Sequence, residues 1–154
     1  MKIIPHAKLW ASLALTALLA GQSVSQAATQ PLPAKFEARL LWGTNDEKSP
    51  NPDHKKVDAA LAKKLKGIPF KWNNFFEVNR QTFPVTTNYT RVVMSKQCSI
   101  DVKDTGEGRI KVKMLGEGKE VSRIEKSLPK GETLIISGDT KNESAWLIVI
   151  KRVE

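Results

Sequence analysis

The chain has 154 residues, with 25 Lys and Arg against 16 Asp and Glu, and a formal net charge of +9. This length is typical of one domain. Its 40% of hydrophobic residues is too many for a disordered chain and too few for a protein with several membrane spans. The single Cys excludes an intramolecular disulfide and a Cys-based zinc site, which needs several ligands.

Residues 1–27 have the pattern of a secretory signal peptide. Lys2 and Lys8 are the only charged residues before Lys35, an apolar run extends from Leu9 to Gly21, and Ser25–Ala27 provides a small-x-small cleavage site. The apolar run is shorter than the roughly 20 residues that a membrane-spanning helix needs. We therefore expect export to the bacterial periplasm or the extracellular space, with no transmembrane span after the signal is removed.

Signal removal would leave a chain that begins near Ala28 and carries 23 basic and 16 acidic residues, a net charge of +7. Residues 28–34 are predicted to be a flexible leader, because they are short, polar and contain proline. Residues 35–154 are then expected to form a single domain, large enough to build its own core.

The predicted domain begins with a strand from Lys35 to Trp42, because Phe36, Ala38 and Leu40 are spaced two residues apart and so lie on one face. Gly43–Lys56 is rich in turn-forming pairs and is predicted to be a loop of about 14 residues, long enough for a functional role.

A helix is predicted from Asp58 to Lys66. Asp58 is a suitable N-cap, and Gly67 ends the helical pattern. The apolar residues that share one stripe of this helix are Val57, Leu61, Leu65 and Ile68.

The remainder of the chain has the pattern of β-structure. The predicted strands are Asn74–Thr82, Arg91–Met94, Cys98–Lys103, Arg109–Leu115, Lys119–Leu128, Thr133–Ser137 and Ala145–Val153. The strand at 119–128 alternates poorly and is expected at a sheet edge with a bulge. The last two, joined by a loop at 139–143, are apolar on both faces and are expected to be central.

The predicted fold class is therefore mostly β, of the α+β kind. We expect a small β-sandwich or a partly open barrel of about seven or eight antiparallel strands, with one N-terminal helix.

One hairpin is specific enough to predict a register. If Asp104–Gly108 is the loop, Cys98 faces Met114 in the core, and Asp101 lies opposite Lys111 on the outer face.

The residue types required for common catalytic mechanisms are scarce. His54 is the one His of the mature chain, and nucleophilic catalysis by Ser or Cys needs a His with converging partners. No spacing typical of a metal site or a phosphate loop occurs. We therefore expect a non-enzymatic protein without cofactor or metal. A small hydrolase built on two converging carboxylates is a remote alternative.

The leading hypothesis is a binding module that interacts with an unknown protein partner or assembly of the envelope. Its predicted binding face is the long loop with the aromatic run that follows the helix, formed by Asn45, Asp46, His54, Trp72 and Phe75. The competing interpretation is that the aromatic run packs the helix onto the sheet.

The alternative function is binding of an acidic polymer or glycan. Arg109, Lys111 and Lys113 are predicted to share the exposed face of one strand. Such a face also serves simply as a solvated surface that protects sheet edges from aggregation, and this second interpretation stays open.

The first half of the domain resembles that of a group of short exported bacterial proteins of unassigned function. The residues that carry the resemblance are Leu41–Asp46, Val57 and Asp58 with Leu61 and Leu65, and Phe70–Trp72 with Phe75 and Phe76. The resemblance implies one exported domain and assigns no functional residue.

Overall fold

The structure is a computed structural model that describes residues 32–137 and 145–154. The predicted signal peptide, residues 28–31 of the predicted leader and the predicted loop at 139–143 lie outside the described residues. The elements are β1 (Ala34–Thr44), β2 (Lys55–Lys56), α1 (Ala59–Lys66), β3 (Asn74–Val85), β4 (Thr90–Val93), β5 (Cys98–Gly106), β6 (Arg109–Gly116), β7 (Lys119–Ser127), β8 (Thr133–Ser137) and β9 (Ala145–Arg152).

The described strands form two antiparallel sheets. One sheet has five strands in the order β2-β3-β1-β9-β8, and the other has four in the order β4-β5-β6-β7. Neither sheet closes into a barrel, because the two share no hydrogen-bonded strand pair within the described residues. The predicted mostly-β class with one helix is confirmed, and the arrangement is consistent with a small β-sandwich.

The main core lies between the two sheets. Phe36 and Leu40 of β1 are at most 2% exposed, and they belong to the same buried cluster as Ile100 and Val102 of β5, which are fully buried. The predicted alternation along β1, β5 and β6 is therefore confirmed, since the alternate apolar residues of each strand point into this core.

A second, smaller core covers the outer face of the five-stranded sheet. The cluster, here called the helix-side core, contains Leu41, Leu61, Leu65, Phe75, Leu147 and Val149. The predicted helix is confirmed: the Asp58 carboxylate accepts a hydrogen bond of 2.9 Å from the backbone N–H of Leu61, and the helix ends at the Gly67 cap.

The long loop is shorter than predicted. β1 continues to Thr44, and Lys55–Lys56 pair with Glu77 and Phe76 of β3, so the irregular segment covers only residues 45–54. Lys55 and Lys56 are both exposed and show no alternation of polar and apolar residues, so the sequence did not predict β2.

β3 extends three residues beyond the predicted end at Thr82, and Pro84 lies within it, opposite Lys35. β2 pairs with β3 only at Phe76 and Glu77, so the rest of β3 has an open edge within the described residues. A proline is tolerated there because its missing N–H would have pointed away from the ladder.

The positions of the last strands differ partly from the prediction. β7 is an edge strand, as predicted, and its bulge falls at Val121, between the pairs Met114–Ser122 and Leu115–Glu120. β9 is central, as predicted, but β8 lies at the edge of the five-stranded sheet. Its apolar residues are buried by the two cores on its faces, so hydrophobicity did not reveal its open edge.

The predicted register of the β5–β6 hairpin is wrong by two residues. Cys98 lies opposite Gly116, and Asp101 lies opposite Lys113. The turn is tighter than predicted because Glu107 and Gly108 adopt φ of 54° and 72°, as a two-residue turn of type I′ requires. A shift of two keeps every side chain on its predicted face.

The helix-side core yields a stability prediction. Replacement of Leu65, which is 1% exposed, by Ala should lower the free energy of unfolding by about 2–5 kcal/mol, because a cavity remains beneath the helix. Urea denaturation followed by circular dichroism measures this change. The matched control is Lys66→Ala on the exposed face of the same helix, which should change stability by less than about 0.5 kcal/mol. Equal losses in both variants would contradict the burial of Leu65.

Candidate functional site

The aromatic part of the predicted loop face is largely buried. Phe75 is 6% exposed in the helix-side core, with its ring centroid 6.1 Å from that of Phe70. Trp72 is partly buried against the same core, and its ring lies 5.7 Å from that of Phe70. The Phe75 side chain, predicted as part of the binding face, is therefore not exposed to a partner in this structure. The aromatic run packs the helix onto the sheet because large flat side chains fill that space.

Asn45 and Asp46 hold the loop against the start of β3. The Asn45 Oδ1 accepts hydrogen bonds of 3.1 Å from both the backbone N–H and the Nδ2 of Asn73. The Asp46 carbonyl accepts one of 2.9 Å from the Nδ2 of Asn74, and its carboxylate accepts one of 3.2 Å from the Thr44 hydroxyl. These contacts connect the loop after β1 to the start of β3.

His54 is half-buried at the far end of the same loop. Its Nδ1 lies 2.6 Å from the Ser49 Oγ, and its backbone N–H donates to the Asn51 carbonyl. Within residues 32–137 and 145–154, no three His, Cys, Asp or Glu side chains form a group that could hold a metal ion. The contacts of His54 thus stabilise the loop.

A groove lies beside this loop and was not predicted. Its volume is about 580 Å³, and its lining residues are Trp42, Thr44, Asn45, Asp46, Glu47, Lys48 and Pro50. The Trp42 ring packs against Trp146 of β9, with centroids 4.6 Å apart and planes at 61°. The one available signal was a tryptophan at the end of a strand, next to a polar loop. We call this feature the Trp42 groove.

The three predicted polyanion-binding residues do lie together. Arg109, Lys111 and Lys113 alternate along β6 with the buried Ile110 and Val112. All three therefore project from the outer face of the four-stranded sheet, here called the basic face.

Both signs of charge occupy the basic face, with the basic side chains in excess. Among the described residues, the register places six basic residues there, Arg91, Lys103, Arg109, Lys111, Lys113 and Arg123, with three acidic residues, Asp101, Glu120 and Glu125. Lys111 lies 3.0 Å from Glu125, Arg109 lies 3.7 Å from the same carboxylate, and Lys113 lies 3.9 Å from Glu120. These exposed pairs are screened by solvent and each contribute little to stability.

Two arginines of the basic face bind carboxylates through two hydrogen bonds each. Arg91 donates to Asp101 at 2.7 and 2.8 Å, and Arg123 donates to Glu120 at 2.8 and 2.9 Å. The neighbouring guanidinium lowers the pKa of Asp101, and likewise that of Glu120. These four side chains are neutralised as pairs, so the positive excess resides mainly on the lysines.

Tyr89 lies among those lysines, and sequence reasoning missed it. Its ring centroid is 5.0 Å from the Lys103 Nζ and 4.5 Å from the Lys113 Nζ, and its side chain is 39% exposed. Lys103 forms no ion pair with any acidic residue in the described part of the chain. The ring holds the two ammonium groups on the same face by cation–π attraction.

A further charged cluster lies next to the helix and has a structural role. Arg39 donates to Glu37 at 2.7 Å and to Asp58 at 2.6 Å, and Arg80 donates to Glu77 at 2.9 and 2.8 Å. The Arg39 side chain is only 16% exposed, so these carboxylates compensate its burial.

Comparisons with known proteins assign no function to these surfaces. The chain matches no protein-family model, and neither a curated protein nor a solved structure is significantly similar to it. In the part of the chain that the structure describes, no helix is long and apolar enough to cross a membrane.

The cap of α1 yields a prediction about pH. The backbone N–H of Leu61 and the Arg39 guanidinium both lower the pKa of Asp58. A carboxyl with a lowered pKa stabilises the fold fully above its unfolded value of about 3.9 and loses that contribution as the pH falls through its folded value. Asp58→Ala should cost about 1 kcal/mol at neutral pH.

Asp58→Asn is the matched control, because Asn still caps a helix but does not titrate. The difference in unfolding free energy between the native chain and Asp58→Asn should be largest at neutral pH and shrink below about pH 4. Urea titrations at several pH values measure it. A difference that is independent of pH would contradict the role of the charged carboxylate.

Proposed function

We propose that this protein is an exported, non-enzymatic binding module that binds an acidic polysaccharide through the basic face. The observation that carries the proposal is the excess of six basic over three acidic side chains on one exposed sheet surface. A surface with one dominant sign of charge attracts polymers of the opposite sign over a distance of several ångströms.

The leading hypothesis from the sequence, a protein partner at the loop, now has weaker support. Phe75 is buried, the Asn45 side-chain oxygen is bonded to Asn73, and the Asp46 backbone carbonyl is bonded to Asn74. Arg109, Lys111 and Lys113, in contrast, share one exposed surface. We therefore favour the acidic polymer over the protein partner.

The scarcity of aromatic side chains favours a polysaccharide over a nucleic acid. Proteins that bind single strands stack successive bases on several aromatic rings. Tyr89 is the one aromatic residue placed on the basic face in the described part of the chain, and two lysines lie within 5.0 Å of its ring. An acidic sugar needs only the ammonium and guanidinium groups that this face supplies.

The proposal predicts binding of dextran sulfate that falls steeply with salt, and no binding of uncharged dextran. Lys111→Gln combined with Lys113→Gln should weaken the affinity about tenfold and reduce the slope of log K against log salt concentration by about two. Isothermal titration calorimetry between about 50 and 200 mM salt measures both quantities.

The matched control removes two lysines from another surface. Lys63 and Lys66 are exposed on α1, which covers the outer face of the five-stranded sheet, so Lys63→Gln with Lys66→Gln produces the same net charge. This variant should bind dextran sulfate nearly as well as the native chain. Equal weakening in both double variants would mean that only net charge matters, and tighter binding of oligothymidylate than of dextran sulfate would overturn the choice of polysaccharide.

A further inference from the structure

We propose that the Trp42 groove binds a neutral saccharide. This inference does not depend on the basic face, because the groove lies beside the loop after β1, whereas the basic face belongs to the other sheet.

The size and walls of the groove suit a small organic ligand. A volume of about 580 Å³ lies within the range of known ligand pockets, roughly 300–1,000 Å³. Trp42 forms the aromatic part of the wall, and the contact with Trp146 holds its ring in place. A fixed ring costs little conformational entropy when a ligand packs on it. The C–H groups of a pyranose ring present a flat apolar surface of matching shape.

The remaining lining groups provide hydrogen bonds of both kinds. The Glu47 carboxylate and the Lys48 ammonium have no hydrogen-bond or ion-pair partner among the described residues, and both line the groove. From the residues that the structure describes, the Asp46 carboxylate accepts one side-chain bond, that of Thr44, so it has further acceptor capacity. Sugar hydroxyls both donate and accept, and this mixed set therefore suits them.

The charges of the groove favour a neutral ligand over an anionic one. Asp46 and Glu47 contribute two negative charges against the one positive charge of Lys48, which gives a net negative site on a strongly basic chain. An acidic polysaccharide is repelled here and attracted at the basic face. Because both signs of charge line the groove, an uncharged polyhydroxyl compound can accept a hydrogen bond from Lys48 and donate to Asp46 and Glu47, which neither a simple cation nor a simple anion can do.

The test uses three neutral oligosaccharides as probes: the hexamers of β-1,4-glucose, of α-1,4-glucose and of β-1,4-N-acetylglucosamine. Calorimetric titrations are run in about 0.5 M salt, where binding at the basic face is screened. We expect at least one hexamer to bind, and Trp42→Ala and Glu47→Ala each to weaken that binding about tenfold.

Glu47→Ala keeps the test valid if Trp42→Ala fails to fold, because Glu47 is exposed and bonds to no other described residue. Lys111→Gln with Lys113→Gln is the control and should leave the affinity unchanged. Failure of the native chain to bind dextran sulfate bears only on the proposed function, and failure of the hexamers to bind bears only on the groove, so the two proposals fail separately.

Three results would overturn the proposal. The first is that none of the hexamers binds. The second is that a hexamer binds with an affinity that both groove variants leave unchanged. The third is that tetramethylammonium or a lysine-rich peptide binds at the groove in place of the sugars, which would make it a cation site.

Discussion

The fold depends on one constraint: the centre of the five-stranded sheet is apolar on both faces. Leu40 and Leu41 are neighbours on β1, so their side chains point to opposite faces of the sheet, and both are fully buried. Leu147 and Ile148, neighbours on β9, are likewise fully buried on opposite faces. Burial of each such side chain contributes roughly 1.5–3 kcal/mol, so neither face is left open to water. The four-stranded sheet covers one face, and the helix with its aromatic run covers the other.

This constraint also decides which surfaces are available for binding. The helix covers only part of the outer face of the five-stranded sheet, and Arg39 with its carboxylates occupies the adjoining part as a compensated cluster. The outer face of the four-stranded sheet is covered by no described element. The side chains on this face are exposed to solvent, so charged residues are tolerated there. The excess of basic residues costs little stability because solvent screens the interactions between their charges.

Much of the fold was predictable from the sequence, because periodicity reports directly which face of a strand or helix is buried. The stripe of Leu61 and Leu65 followed from helical periodicity. Asp58 was predictable as the N-cap from its residue type and its position before the apolar stripe. The hairpin register did not, because a shift of two residues exchanges partners without exchanging faces, and only the positive φ of Glu107 and Gly108 distinguishes the alternatives. Of the site residues, Arg109, Lys111 and Lys113 were predictable on one face from the alternation along their strand. The positions of Tyr89 and Trp42 were not, because they depend on contacts with residues that are distant in the sequence.

The two candidate surfaces have opposite signs of charge, and this difference bears on how one small domain would engage a polymer. The basic face attracts acidic groups at a distance but provides few directional contacts, since most of its arginines already bind carboxylates. The Trp42 groove has an aromatic wall and hydrogen-bonding groups that have no partner among the described residues, and under the proposal these would discriminate by shape at short range. Under the two proposals, the basic face would govern how binding depends on salt, and the groove would govern which neutral sugar is selected.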